Sequence, residues 1–401
     1  MRIGTIFSGC GAPEQAAARV WQGHEVAFAC EWDKYARQSY LANYEIDETH
    51  FHKDVKELDG TQYRGKVDVL IGGSPCQAFS IAGLRNGTDD ERGQLIYQYV
   101  RVVDEVKAPV IVYEYVKGML SIDGGRTIKE FVEALREIGY YCHYEVLNTK
   151  DYGVPQNRER IFLVGFLDHE AYYRFSFAPK VKLEKRLKDV LEPSVDEKYY
   201  LSETAIKGFS SHAERMAERG NGFKFDPTDG NTIASSVTTR AGGRPDDNFV
   251  KEQKSEIEII GELDRKGEEN QRRIYGTNGV APSLRAGMGE GGGITPKIME
   301  PKILDLTNDF GEGKTREYTE FAPTLRSERF GLATKQNYRI RKLTPRECLR
   351  LQDFPDTFKQ VVSDSQMYKQ AGNAMSCNVV EMVFRCINDT LKGKTPQTRL
   401  F

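Results

Sequence analysis

The chain has 401 residues, 57 Lys and Arg against 59 Asp and Glu, and 39% apolar side chains. That length exceeds one ordinary core, so two domains with a deep interface are expected. A net charge of −2 excludes a global basic field, so any nucleic-acid partner must be held by a local patch. Residues 3–7 read as a strand running into Ser8, Gly9, Cys10, Gly11, Ala12 and Pro13, after which residues 15–21 have helical composition. Glycines between a first strand and a first helix let the backbone approach a ligand beside the helix amides; a plain tight turn is the alternative. The next strand, residues 25–30, ends in Glu31, Trp32 and Asp33. An acid about twenty positions past a glycine loop suits the hydroxyls of a ribose, and the indole offers a stacking face. A surface acid beside a half-buried Trp is the bland reading. Asp54, next to Val55, stands at a third strand tip, placed to accept from an exocyclic amine such as that of adenine.

The apolar run Val67, Val69, Leu70, Ile71 ends in two glycines and delivers Ser74, Pro75, Cys76 and Gln77 onto a loop. In an open α/β sheet that loop lies at the carboxyl edge, where ligands bind, so Cys76 is a nucleophile candidate by position and by type. A cysteine filling space beside a strand is the alternative. Residues 89–103 begin acidic and continue at helical spacing, as a crossover helix does. Residues 108–113 form the next strand, and Glu114 follows, one strand tip from Cys76. Residues 127–138 are an amphipathic helix closed by Gly139. Residues 141–147 and 160–166 look like paired strands, joined by a segment with Gln156, Arg158 and Arg160. Two arginines at i and i+2 on an extended segment point the same way, toward a ligand or into solvent.

From residue 180 helical periodicity fades and Gly, Ser, Thr, Lys and Glu rise. An imperfect repeat places Arg240, Arg285 and Arg326 in similar strand-turn elements, which predicts a small β domain. Residues 321–350 carry eight Lys and Arg against two Glu, a local basic patch. Thr344, Pro345 and Glu347 have the spacing of a capped helix start. Residues 368–375 read as a glycine-containing turn leading into a last helix, residues 379–391, that returns to the first domain. Seven scattered cysteines lack zinc-site spacing, and there is no eighteen-residue apolar run. A reduced, cytoplasmic chain without metal or membrane span is expected, as a monomer.

Taken in order, Phe7-Ser-Gly-Cys-Gly, Glu31-Trp32, Asp54-Val55, Pro75-Cys76-Gln77 with Phe79-Ser80, Glu114, Gln156-x-Arg158-x-Arg160, the run from Leu343 to Pro355, and Gln370-Ala-Gly-Asn373-Ala resemble the motifs of the DNA (cytosine-5)-methyltransferases. The resemblance covers the chain apart from roughly residues 181–335, where that family keeps its variable recognition region. It implies a Rossmann-like class I methyltransferase domain of α/β type with a mostly parallel sheet, plus a smaller, mainly β target-recognition domain. The corresponding division is residues 1–180, 181–360, and a segment 361–401 that returns to the catalytic domain. S-adenosylmethionine is the implied cofactor, and double-stranded DNA in a bacterial or phage-infected cell the implied partner. By position, Phe7, Ser8, Gly9, Gly11, Glu31, Trp32, Asp54, Val55, Pro75, Leu95, Asn373, Ala374 and Met375 would line the cofactor. Cys76 would be the nucleophile and Glu114 its carboxyl partner, with Arg158 and Arg160 beside a flipped base. Gln77, Ser80, Tyr115, Arg240, Arg285 and Arg326 would meet substrate.

Cytosine C5 is too poor a nucleophile to attack a methylsulfonium directly, and addition of a thiolate at C6 makes it enamine-like. A carboxyl group at N3 assists that addition. The target must first leave the helical stack. One departure is Tyr115, where the family usually has Asn. If it lies near the transferred group, carboxy-S-adenosylmethionine and a carboxymethyl product become an alternative. A DNA-binding homologue without catalysis and an RNA methyltransferase are the other two readings.

Overall fold

The computed structural model describes residues 1–74, 94–220, 224–253, 259–262, 273–276, 297–299, 303–305, 316–318 and 338–394. Pro75, Cys76, Gln77, Ser80, Arg285 and Arg326 lie outside these residues. Seven strands build the main sheet: β1 Arg2–Ile6, β2 Glu25–Cys30, β3 Phe51–His52, β4 Val69–Gly72, β5 Val110–Val116, β6 Tyr141–Asn148 and β7 Glu159–Phe166. They lie in the order β3-β2-β1-β4-β5-β7-β6. The strands β1 to β5 pair in parallel, and β7 runs antiparallel to both β5 and β6. Val69 to Gly72 are all buried, and β5 is buried through Tyr115. Unbroken apolar runs of this kind suit central strands covered on both faces.

Alternation along β5 and β4 divides the core. Val69, Ile71, Val110 and Val112 face α1 (Ala12–Val20) and α9 (Cys377–Leu391), whose Trp21-to-Phe384 contact has ring centroids 4.6 Å apart just past the end of α1. Leu70, Ile111, Tyr113 and Tyr115 face α3 (Gln94–Val106) and α4 (Arg126–Glu137). The last helix packs against α1 and the first of these two faces of the sheet. Register then sets the site. Ile6 stands level with Cys30 and Gly72, and Gly72 with Tyr113. One step beyond that row come Phe7, Glu31, Gly73 and Glu114, side by side at the carboxyl edge. The order reverses between β1 and β4, the place where open α/β sheets bind ligands.

Two compact units divide the chain: Met1–Val250 with Arg341–Phe401, and Lys251–Ile340. The second contains a three-stranded sheet of Ile259–Glu262, Arg273–Gly276 and Lys297–Met299, and an antiparallel pair, Ile303–Asp305 with Arg316–Tyr318. Residues 181–250, expected with the recognition segment from their composition, group with the first unit.

Two local expectations need correction. Residues 368–373 are not a turn but the end of a helix, Asp364–Asn373, and the chain turns only from Ala374. Gly372 sits inside that helix because the backbone of Thr238 and Thr239 comes so close that an added Cβ would lie 2.5 Å from it. The basic patch is also smaller than its residue count. Arg341 is fully buried and paired through both terminal nitrogens with Glu347, at 2.8 Å each, and Arg350 pairs with Asp356. Glu347 simultaneously closes the capping box at Thr344, so these charges brace a helix start, Pro345–Leu351.

Candidate active site

The loop after β1 is held in an uncommon shape. Phe7, Gly9 and Gly11 all have left-handed backbone, with φ of 58°, 59° and 94°. For Phe7 that costs on the order of 1 kcal/mol, the kind of strain that collects at binding sites. Glu31 at the tip of β2 secures the loop, its Oε2 accepting the Gly9 N–H at 2.8 Å while Oε1 accepts that of Asp33 at 2.8 Å. Ser8 does the same from within: its N–H donates to the Cys30 carbonyl and its Oγ accepts the Cys30 N–H. Trp32 next to them is 73% exposed, so the indole face is free on this tip. Asp54 is half-buried and accepts the Lys56 N–H; Val55 and Leu95 pack into or against the core beneath.

Sequence reading missed the carboxylate under the loop. Glu14, in the first turn of α1, is fully buried, and its Oε1 accepts from Thr5 Oγ1 and Tyr40 OH at 2.8 Å each. Thr5 in turn lies 2.7 Å from Ser8 Oγ, so the chain of hydroxyls ends on Glu14. In sequence Glu14 looks like an ordinary first-turn acid; only the hydroxyls of Thr5 and Tyr40, brought onto it by the fold, reveal a buried one. Burial pushes its carboxyl up to about 7, partly offset by the two hydroxyl donors. A carboxyl raised in the folded state keeps its proton where the unfolded chain has lost it, so stability falls as pH rises from the usual carboxylate range to about 7. The full effect is on the order of 3 kcal/mol. Glu14→Gln is therefore expected to match the parent at pH 5 and exceed it by about 1–3 kcal/mol at pH 8. Urea unfolding at both values checks this; an unchanged difference between them refutes it.

Glu114, one residue past the register row on β5, is 9% exposed, and burial pushes its carboxyl up against the opposing charges of Arg160 and Arg158. Arg160 Nε stands 3.3 Å from Glu114 Oε1. Gly73 makes the neighbouring wall: a Cβ there would lie 2.8 Å from the Glu114 carbonyl, 2.9 Å from Met375 Cε and 3.2 Å from Glu114 Oε2. Only glycine allows β4 and β5 to present this edge. Ser74 Oγ, 2.7 Å from Tyr113 OH, fixes the chain just before Pro75.

Arg158 is 3% exposed, and its guanidinium donates to the carbonyls of Gly372 (3.2 Å) and Ala374 (2.8 Å) and to Ser236 Oγ (3.4 Å). Burial and the Arg160 charge bring it down to about 9. Phe7, Ser8, Gly9, Gly73, Glu114, Asn373, Ala374 and Met375 line one narrow cleft. The structure thus brings together most of the residues expected around the glycine loop, Glu114 and the turn after Gly372. Gly372→Ala is expected to cost about 1–3 kcal/mol of stability, seen as a lower denaturation midpoint with an unchanged m-value.

Tyr115 is placed elsewhere. Being next to Glu114 on a strand, it faces the other way, 2% exposed and packed with Tyr113, the two rings stacked at 6.1 Å and 8°. A role for it at the transferred group is corrected on that ground: its ring belongs to the core against α3 and α4. Arg240 is exposed on the turn that follows Thr238 and Thr239.

A mostly parallel seven-stranded sheet with one reversed strand, a glycine loop after β1 and an acid at the tip of β2 define a Rossmann-like class I methyltransferase fold. Within that class, residues 1–389 match the C-5 cytosine-specific DNA methylase family, and the chain belongs to it. It is 31% identical to an orphan methyltransferase of Bacillus phage rho11s, M.Rho11sI, over 96% of this chain and 97% of that one. It is 30% identical to the type II methyltransferase M.HpaII of Haemophilus parainfluenzae, over 96% and 88%. Among solved structures, a putative DNA modification methyltransferase from an E. coli prophage has a TM-score of 0.53 at 21% identity, covering 98% of this chain and 99% of that one. A Spodoptera frugiperda DNMT2 mutant scores 0.61 at 17%, covering 96% and 99%, a likeness of fold alone. Among the described residues no helix is long and apolar enough to cross a membrane.

Proposed function

We propose that this protein is a DNA (cytosine-5)-methyltransferase that transfers a methyl group to C5 of a cytosine flipped out of a duplex. The observation that carries the reading is the buried Glu114 carboxyl, pushed up by burial, in one cleft with the glycine loop and the 373–375 turn. The donor set fits a nucleoside cofactor. Gly9 leaves open space where a side chain would stand, Glu31 offers carboxylate oxygens, and the exposed Trp32 offers a face for adenine. S-adenosylmethionine, when bound, supplies an electrophilic methyl group.

The remaining work falls to the chain. The Cys76 thiolate adds to C6 of the cytosine, and the electron pair of the C5–C6 bond shifts through the ring toward N3. Glu114, holding its proton, donates to N3 and accepts from the exocyclic amine, which identifies cytosine as well as activating it. Arg160 lies within reach of the same carboxyl and orients it. After methyl transfer, water or a base takes the C5 proton, the Cys76 sulfur leaves as thiolate and the N3 proton returns to Glu114, which restores the ring. Base readout falls to the recognition region, with arginines suited to guanine edges.

The test is incubation of unmodified bacterial genomic DNA with the protein and S-adenosylmethionine, followed by nucleoside mass spectrometry. We expect 5-methylcytosine. Its appearance only in RNA given in parallel favours the RNA reading, and its absence from both, together with no covalent complex on 5-fluorocytosine DNA, leaves a binding protein.

A further inference from the structure

We propose that Arg158 is a positioning residue, not a contact to the base: it ties the recognition-side segment 236–239 to the turn that lines the cofactor cleft, so that the two move as one. The inference rests on the function proposed above for what that cleft and that segment meet. Arg158 lies almost wholly inside the protein, and three of its hydrogen bonds go to Gly372, Ala374 and Ser236. A planar fork that bonds two carbonyls at the end of the Asp364–Asn373 helix and a hydroxyl from another segment fixes all three, which an ammonium on a flexible stem cannot do.

The 236–239 segment is anchored in two further ways, to the Pro345–Leu351 helix and to Gly372 itself. Val237 N–H donates to Gln156 Oε1 at 2.9 Å, and Gln156 Nε2 donates to the Leu351 carbonyl at 2.5 Å. The backbone of Thr238 and Thr239 rests on Gly372 with no room for a methyl group. Gln352 then holds the far side of the turn, donating to the Ala371 carbonyl at 2.8 Å and accepting from Ser376 Oγ at 2.6 Å. Asn373, Ala374 and Met375 are therefore bracketed, and Arg158 is, among the described residues, the charged group in the bracket that also reaches the 236–239 segment. Arg160 differs: its side chain is more exposed and its Nε faces Glu114. The two arginines of one motif thus divide the labour, Arg160 on the reacting side and Arg158 on the cofactor turn.

The experiment compares Arg158→Lys, Ser236→Ala and the parent. It reads S-adenosylhomocysteine affinity by calorimetry, and the KM for S-adenosylmethionine and kcat on unmodified bacterial genomic DNA. Losing charge-assisted hydrogen bonds to the turn is expected to weaken S-adenosylhomocysteine and raise the cofactor KM roughly tenfold in Arg158→Lys, with kcat within about threefold. Ser236→Ala, which removes one longer contact, should shift the same two quantities about threefold. A kcat loss of about a hundredfold or more with unchanged cofactor KM in Arg158→Lys places Arg158 on the base and overturns the proposal. Should Arg158→Lys fail to fold, Ser236→Ala decides: unchanged cofactor affinity overturns it. A parent protein that binds no S-adenosylhomocysteine at all instead overturns the function proposed above.

Discussion

Cys76→Ser is expected to abolish DNA modification, with the rate falling by at least about 10,000-fold, the scale seen when a covalent nucleophile is removed. A hydroxyl is scarcely ionised near neutral pH, whereas a free thiol with a pKa near ~8.5 is a few per cent thiolate and far more nucleophilic. None of the described cysteines is suited to substitute for it, all being buried except the half-buried Cys142. Cys10, Cys30 and Cys142 are each pushed up to about 12 chiefly by burial, and Cys348 and Cys377 are buried and raised as well. Selective alkylation at neutral pH, located by peptide mass spectrometry, should therefore mark Cys76 first and stop activity in proportion. S-adenosylhomocysteine binding by the Cys76→Ser protein separates loss of chemistry from loss of fold, since the cleft residues around Phe7, Gly9 and Ala374 are untouched. Modification by Cys76→Ser within tenfold of the parent refutes the thiolate mechanism outright.

Most of the sheet was readable in the sequence because its central strands are short apolar runs ending in ligand-type residues. Val67 to Gly73 and Ala108 to Glu114 show where two strands stop, and register then makes their tips neighbours. The residues that failed to read true are those whose meaning depends on a partner that only the folded chain brings against them. Nothing local distinguishes Glu14 from a solvated acid until Tyr40 and Thr5 converge on it. Gly372 looks like a turn glycine until Thr238 is found against it. Arg341 looks like a surface cation until it meets Glu347. Tyr115 is a different failure. Its departure from the family pattern suggested altered chemistry, yet strand alternation, already available, sends it to the face opposite Glu114. That geometry takes Tyr115 away from the Glu114 side of the strand, and with it the ground on which the carboxymethyl alternative stood.

The second large effect is expected at Glu114→Gln, a loss of about 100- to 10,000-fold in kcat with only a modest change in cofactor affinity. Glutamine keeps the shape: its amide donates toward N3 and its carbonyl accepts from the exocyclic amine. It cannot release a proton as the carboxylic acid does, so the variant isolates proton donation from recognition. The pH profile gives the sharper test. Glu114 is raised by burial despite Arg160 and Arg158, and the reaction uses its protonated form, so activity should fall as pH rises through its raised pKa. The Cys76 thiolate imposes the opposite limb, because its ionised fraction grows with pH. The parent should therefore show a bell-shaped kcat profile, while Glu114→Gln keeps the rising limb and loses the falling one. An alkaline limb that persists in Glu114→Gln assigns the proton to another group. Full activity in that variant removes Glu114 from the chemistry, leaving its burial beside Gly73 without a catalytic reason.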